Sequence, residues 1–88
     1  MSQEYRVHVY LVDFDKTRAA ELTQILKLYH NSQGAQWFRT LLRGVAEGEA
    51  QEVYETNSDD DARRVGLSIM RAGGQLRLDG LNDAPEAF

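Results

Sequence analysis

The segment YRVHVYLV, residues 5–12, constrains the fold more than any other stretch of the chain. Its side chains alternate between an apolar set predicted to face inward (Tyr5, Val7, Val9, Leu11) and a second set predicted to face solvent (Arg6, His8, Tyr10). Alternation built from β-branched and aromatic residues is typical of a half-buried β-strand. Such a strand requires neighbouring strands and a second layer that covers its apolar face.

Two helices are predicted next, from apolar side chains spaced three and four residues apart. The first runs from Thr17 to about His30, after the turn DFDKT, in which Asp15 or Thr17 is expected to cap the helix. The second follows the break NSQG, with Ser32 as its expected cap. Its buried stripe is predicted to contain Trp37, Phe38, Leu41, Leu42 and Val45.

A third helix is predicted to start after Asn57 or Ser58. Its apolar side contains Ala62, Val65 and Ile69, together with Met70 or Ala72. Gly73 and Gly74 are expected to end it by adopting left-handed backbone conformations, which glycine enters at little cost.

Two short segments, QEVYE at 51–55 and QLRLD at 75–79, complete the predicted elements as strands. Val53, Leu76 and Leu78 are their expected inward residues. The resulting order is β-α-α-β-α-β over residues 1–79. This order predicts a two-layer α+β domain with a small three-stranded sheet and three helices on one face. Residues 80–88, which contain the only proline, are expected to form a disordered acidic tail.

The composition limits the kinds of protein that this chain can be. The 88 residues are 42% hydrophobic and 27% charged, as in one ordinary globular domain. There is no cysteine, which excludes disulfides and thiolate metal sites. No apolar run reaches the roughly 20 residues of a membrane span, and the start of the chain lacks the pattern of a signal peptide. A cytoplasmic location without a membrane partner is therefore expected.

The acidic run Asp59 to Asp61 suggests a metal site at first sight, because carboxylates bind hard cations. Consecutive helical positions diverge by about 100°, however, so three neighbours do not converge on one ion. The alternate ligands of a calcium-binding EF-hand loop are missing as well. Ser58 followed by negative charge is instead typical of a capped helix start that complements the helix dipole. No metal or cofactor is expected.

Catalytic motifs are not found in the sequence. His8 and His30 are the only imidazoles, and neither lies in a recognisable nucleophile, phosphate-binding or zinc-binding motif. Asp13 and Asp15 flank Phe14 in a turn, where carboxylates more often cap than catalyse. We therefore expect a protein that is not an enzyme.

Short fragments carry a resemblance to a known fold. Ser58, the acidic run, Ala62 and the pair Ala72-Gly73 resemble the end of the C-terminal domain of the bacterial ribosomal stalk protein. SQGAQWFRTLL is similar to the second helix of that domain. ClpS, the adaptor that delivers N-degron substrates to Clp proteases, shares the element order, and VDFDKT resembles its acidic turn. The resemblance implies a small protein-binding or adaptor module linked to the translation or proteolysis machinery.

The resemblance also suggests where a partner would bind. The stalk domain recruits translational GTPases through a basic patch on its first two helices, and Lys16 matches the first lysine of that patch. Trp37 is a candidate anchor, because tryptophan is favoured at interface hot spots; the other interpretation places both Trp37 and Phe38 in the core. The expected contact surface comprises Lys16, Lys27, Gln36, Trp37, Arg39 and Arg43. A ribosome, a GTPase or a Clp chaperone is the expected partner.

Two alternatives remain open on the sequence alone. A ClpS-like adaptor would hold a substrate amine with Asp13 and Asp15. A ribosome- or RNA-associated protein would use the exposed sheet face, namely Arg6, His8, Tyr10 and Arg77. The net charge of −4 makes nucleic acid the less expected partner.

Overall fold

Three helices pack on one antiparallel sheet in the computed structural model, which describes residues 6–80 and the backbone of 86–87. In chain order, the elements are β1 (Val7–Phe14), a 3₁₀ turn (Lys16–Arg18), α1 (Ala19–Tyr29), α2 (Ala35–Ala46), β2 (Gln51–Thr56), α3 (Asp59–Arg71), β3 (Gly74–Asp79) and β4 (Glu86–Ala87). The predicted α+β fold and its β-α-α-β-α-β order are confirmed. Tyr5 and most of the expected tail, residues 81–85 and 88, lie outside the described residues.

The sheet has the strand order β2-β1-β3-β4, so β1 lies at its centre. All three pairings are antiparallel. Val9 lies opposite Tyr54 on one side and Leu78 on the other. The predicted alternation of β1 is confirmed, since Val7, Val9 and Leu11 are fully buried while His8 and Tyr10 stay half-buried on the opposite face. The strand β4 adds two residues to the three predicted strands.

The hydrophobic core lies between the sheet and the helices. Each helix contributes side chains spaced three or four residues apart, namely Leu22 and Leu26 from α1, Phe38, Leu41 and Val45 from α2, and Ala62, Val65 and Ile69 from α3. Full burial of a leucine or phenylalanine side chain contributes roughly 1.5–3 kcal/mol, so this shared core accounts for the one-sided arrangement. No helix within the described residues combines the length and the apolar character needed to cross a membrane.

A β-bulge interrupts the pairing of β1 with β2. Val9 lies opposite Tyr54, but Tyr10 lies opposite Glu52, so Val53 is the extra residue. Val53 and Thr56 are both buried although they are three residues apart. In a regular strand, two residues with that spacing face opposite sides of the sheet. The bulge therefore changes which residues of β2 reach the exposed face.

The helix starts differ in how they are capped. The Asp15 side chain accepts a hydrogen bond from the Thr17 backbone N–H, at the start of the 3₁₀ turn that leads into α1. Ser58 caps α3, as predicted. The prediction that Ser32 caps α2 is wrong, because Gly34 occupies the N-cap position and no side chain bonds there. Residues 30–33 form a turn instead, in which the Gln33 N–H bonds to the His30 carbonyl.

The two glycines that end α3 have different roles. Gly73 has a φ of +99°, so its predicted left-handed conformation is confirmed. The same prediction for Gly74 is wrong, because Gly74 is the first residue of β3 and its φ is not positive. A Cβ atom on Gly74 would lie 2.7 Å from Cγ2 of Ile69 and 3.0 Å from Cδ1 of Leu11. Close packing of the strand against the core therefore requires glycine at this position.

Candidate functional site

A shallow groove separates α1 from α2. Both helices line it with residues at positions i, i+3, i+4 and i+7, namely Ala20, Thr23, Gln24 and Lys27 from α1 and Ala35, Phe38, Arg39 and Leu42 from α2. Its volume is about 290 Å³. The two helices turn most of their core-facing side chains toward the sheet, and mostly small or polar side chains lie between them, beside Phe38 and Leu42. We call this feature the α1–α2 groove.

The α1–α2 groove is cationic. Lys27 and Arg39 line it, and no carboxylate does. Neither side chain forms an ion pair with any of the described residues. Four other basic side chains are neutralised by a carboxylate, in the pairs Lys16–Asp13, Arg18–Glu21, Arg64–Asp61 and Arg77–Asp79. The two groove cations are therefore available to an acidic partner.

The floor of the groove is apolar. Phe38 is 1% exposed and forms the base, while Leu42 is half-buried beside it. The Lys27 ammonium lies 6.0 Å from the centroid of the Phe38 ring, at the outer limit of a cation–π contact. Leu28, the residue after Lys27, is 70% exposed and is the most exposed large apolar side chain among the described residues. An apolar floor is thus combined with a cationic rim.

Trp37 lies on the other side of α2. It is half-buried, with its ring centroid 4.7 Å from that of His30 and 5.0 Å from that of Phe38. His30 in turn bonds through Nε2 to the carbonyl oxygen of Val53 at 2.5 Å. Trp37 therefore covers the junction between the end of α1 and β2, and it is neither fully core nor a freely projecting anchor.

Trp37 and Arg43 line a second depression, of about 380 Å³, together with Glu47, Glu49 and Glu52. Three glutamates give this depression an acidic character, in contrast to the α1–α2 groove. Four residues of the expected contact surface are thereby divided between two depressions, with Lys27 and Arg39 in the α1–α2 groove and Trp37 and Arg43 in the second depression. Sequence spacing alone did not separate them.

The last two residues of the expected surface line neither depression. Lys16 donates a hydrogen bond of 2.9 Å to Asp13, and its ammonium lies 4.8 Å from the centroid of the Phe14 ring. Gln36 is exposed and bonds to the Thr40 hydroxyl at 3.3 Å. Both side chains are occupied by neighbours on their own segments.

Local hydrogen bonds hold the acidic segment where β1 passes into the 3₁₀ turn. The prediction that Asp13 and Phe14 lie in the turn is wrong, because both residues belong to β1. The Asp13 carboxylate accepts from Lys16 and from the Phe14 N–H, and these bonds lower the pKa of Asp13. The Asp15 carboxylate accepts from the hydroxyl and the N–H of Thr17, which lowers the pKa of Asp15. Both carboxylates therefore shape the turn, and each already has donors where a substrate amine would have to bind.

The exposed sheet face mixes both signs of charge. Glu55 and Asp79 lie opposite His8 on the two neighbouring strands, while Arg77 lies opposite Tyr10, with its guanidinium 4.7 Å from the tyrosine ring centroid. Arg77 pairs with Asp79 at 3.2 Å. A phosphate backbone would meet these carboxylates alongside the cations. This geometry does not favour the interpretation of Arg6, His8, Tyr10 and Arg77 as an RNA-binding face.

A cluster on this face was missed by sequence reasoning. His8 on β1 contacts Glu52 and Glu55 on β2 through the same imidazole nitrogen, Nδ1. His8 and Glu52 are 44 residues apart in the chain, and no short motif links them. The only available signal was the acidic pattern of β2, which cannot be assigned to one face unless the bulge is known.

The acidic run Asp59 to Asp61 forms the first turn of α3, as predicted. The Ser58 hydroxyl accepts a hydrogen bond of 3.2 Å from the Asp61 N–H. The Asp61 carboxylate accepts from Tyr54 and pairs with Arg64. These contacts give the run a structural role at the helix start.

Comparisons with protein-family models, with curated proteins and with solved structures find no match to this chain.

Proposed function

We propose that this protein is a non-catalytic protein-binding module whose α1–α2 groove receives an acidic, amphipathic segment of its partner. The observation that carries the proposal is the combination of an apolar floor, Phe38 and Leu42, with two rim cations, Lys27 and Arg39, that have no ion-pair partner among the described residues. Apolar side chains of the partner would fill the floor, and its carboxylates would pair with the rim.

The size of the groove favours a peptide segment. A volume of about 290 Å³ lies just below the usual range of small-molecule pockets and accommodates a few side chains. An amphipathic helix laid along two parallel ridges uses anchors at i, i+3, i+4 and i+7, which is the spacing of the groove residues themselves. The apolar anchors would supply most of the affinity, while the cations would speed and orient association.

A catalytic role has little support in the arrangement of the two histidines. Within residues 6–80, His8 contacts glutamates on the exposed sheet face and His30 bonds to a backbone carbonyl. Neither imidazole is bonded to a hydroxyl there, so the pairing of a base with a nucleophile is missing from the described part of the chain. Binding without chemistry is the simpler function for these side chains.

The class of partner follows from the resemblance noted in the sequence. The stalk C-terminal domain and ClpS both act by binding another protein. SQGAQWFRTLL covers the turn before α2 and the part of α2 that lines the groove. We therefore propose an adaptor that acts in the cytoplasm with a ribosome, a GTPase or a Clp chaperone. The groove chemistry adds that the bound segment of this partner is acidic and apolar.

A position-specific cross-linking experiment tests the proposed surface. A photoreactive residue is placed at Gln24, which is exposed and lines the groove, and in a second variant at Gln75, which is exposed on β3 and faces away from the helices. After irradiation in cells, we expect a discrete cross-linked partner from position 24 only. Mass spectrometry then identifies the partner and the segment that is attached.

Charge reversal provides the matched control. Arg39→Glu should abolish the cross-link from position 24, while Arg71→Glu, which makes the same change in net charge at an exposed position of α3, should preserve it. A partner that cross-links from position 75 instead, or that is indifferent to Arg39→Glu, would contradict the proposal. Circular dichroism confirms that each variant is folded.

A further inference from the structure

One histidine and two glutamates converge on the exposed face of the sheet, on the side opposite the α1–α2 groove. His8 Nδ1 contacts Oε1 of Glu52 and lies 3.5 Å from Oε2 of Glu55. One ligand atom from each of the three residues lies within 4.8 Å of the other two. The side chains are 33%, 43% and 44% exposed, respectively, so an ion in solution can reach them.

The β-bulge in β2 creates this convergence. Glu52 and Glu55 are three residues apart, and a regular strand would place them on opposite faces of the sheet. With Val53 as the extra residue, Tyr10 lies opposite Glu52 while His8 lies opposite Glu55. Both carboxylates therefore face the same imidazole. Bulges commonly redirect a side chain toward a functional position.

We propose that His8, Glu52 and Glu55 form a binding site for a divalent transition-metal ion of the Zn²⁺ type. One imidazole nitrogen with carboxylate oxygens is a donor set that suits zinc and its neighbours, whereas magnesium and calcium prefer oxygen ligands alone. Three protein ligands leave the outward position of the ion open to water or to a ligand from another molecule. This site is separate from the proposed protein-binding groove.

Small movements complete the coordination. Zinc bonds of about 2.0–2.2 Å place tetrahedral ligand atoms about 3.4 Å apart. The distance from Nδ1 to Oε2 of Glu55 already matches this value at 3.5 Å. Rotation of the exposed glutamates would adjust the other separations, with Glu52 moving back from Nδ1 to make room for the ion. The imidazole would bind the ion through the lone pair of Nδ1 and carry its ring proton on Nε2. Asp79, opposite His8 on β3, adds negative charge nearby but already pairs with Arg77.

Titration of the full chain with ZnCl₂, after removal of any affinity tag, tests this site. We expect one equivalent to bind by calorimetry. In NMR spectra the ring signals of His8 should shift, while those of His30, the only other histidine, should not. The separate variants His8→Gln, Glu52→Gln and Glu55→Gln should each weaken binding by at least about tenfold, the smallest loss expected even for a residue that only orients a metal ligand.

The matched control is Asp60→Asn, which removes one exposed carboxylate from the acidic run on α3. It should bind Zn²⁺ with the affinity of the parent protein. Unchanged affinity in the three site variants, a shift of His30 in place of His8, or loss of binding in Asp60→Asn would each overturn the proposal. Circular dichroism without metal verifies folding, and the separate glutamate variants keep the test decisive if His8→Gln does not fold.

Discussion

The Tyr54 hydroxyl on β2 donates a hydrogen bond of 2.7 Å to Oδ2 of Asp61 in the first turn of α3. This bond is the main cause that lowers the pKa of Asp61, and it raises the pKa of Tyr54 by holding the phenolic proton. Tyr54 also packs edge-on against Tyr29 of α1, with ring centroids 5.3 Å apart. One side chain of the sheet thereby connects the beginning of α3 to α1.

Replacement of Tyr54 by phenylalanine should test this connection. Tyr54→Phe keeps the ring but removes the donor, so we expect a loss of about 1–2 kcal/mol in the free energy of unfolding at neutral pH, as for a hydrogen bond to a charged group at a partly exposed site. Urea denaturation measures the loss. An unchanged midpoint would show that water replaces the hydroxyl without cost.

The same pair predicts a dependence on pH. The pKa of Asp61 lies below its usual value of 3.8 in the folded protein. The stabilisation by this carboxylate is therefore present above about pH 3.8 and is lost as the pH falls through the lower, folded value. The difference in stability between the parent protein and Tyr54→Phe should shrink as the pH falls below 3.8. A constant difference from pH 7 to about pH 2 would contradict this assignment.

Two serines near helix starts should respond differently to alanine. Ser58 accepts a hydrogen bond from the Asp61 N–H, so Ser58→Ala should lower stability by about 1 kcal/mol. Ser32 is exposed and caps nothing, so Ser32→Ala should leave thermal and urea denaturation unchanged within error. A loss of about 1 kcal/mol in Ser32→Ala would show that Ser32 caps α2. No loss in Ser58→Ala would contradict the cap at α3.

Asparagine and alanine substitutions should have different effects at the two adjacent glycines that end α3. Asparagine tolerates left-handed backbone conformations better than alanine does. At Gly73, with a φ of +99°, the asparagine variant should be more stable than the alanine variant. At Gly74 any Cβ atom meets Ile69 and Leu11, so asparagine should be at least as destabilising as alanine. Thermal denaturation of the four variants shows whether asparagine or alanine is the more stable at each position. An asparagine variant more stable than the alanine variant at both positions would contradict the different roles of the two glycines.

Trp37 and Phe38 are neighbours in the chain but should contribute differently to the free energy of unfolding. Phe38 is 1% exposed, and Phe38→Ala should cost about 3–5 kcal/mol, as for other buried aromatic residues. Trp37 is half-buried, so Trp37→Ala should cost clearly less. The fluorescence of Trp37, the only tryptophan, should remain partly accessible to a soluble quencher. Full protection from the quencher would place Trp37 in the core.

The fold was largely predictable, because the spacing of apolar residues within each segment indicates whether that segment is a strand or a helix. The alternation at 7–11 matches the buried face of β1. Of the stripe predicted for α2, Phe38, Leu41 and Val45 are buried, while Trp37 and Leu42 are only half-buried. Ser32 and Gly74 were misassigned, because a cap and a left-handed turn depend on where the chain actually bends. Serine suits an N-cap and glycine suits a left-handed turn, but the residue type alone does not show that the chain needs a cap or a turn at that position.

The candidate site was predictable only in part. Lys27 and Arg39 were expected to share a surface, and they do, but Trp37 and Arg43 lie across α2 from them. The cluster of His8, Glu52 and Glu55 was not expected at all. Its members come from two strands, and the side of the sheet that Glu52 faces depends on one extra residue in the bulge.

The sequence by itself therefore determined the α+β class, the element order and most of the inward residues, because hydrophobic periodicity is a local property of each helix or strand. Tertiary structure decided which cations remain without a carboxylate partner and which polar residues meet across the sheet. Those outcomes depend on register and on the relative placement of helices, where a shift of one residue moves a side chain to the opposite face.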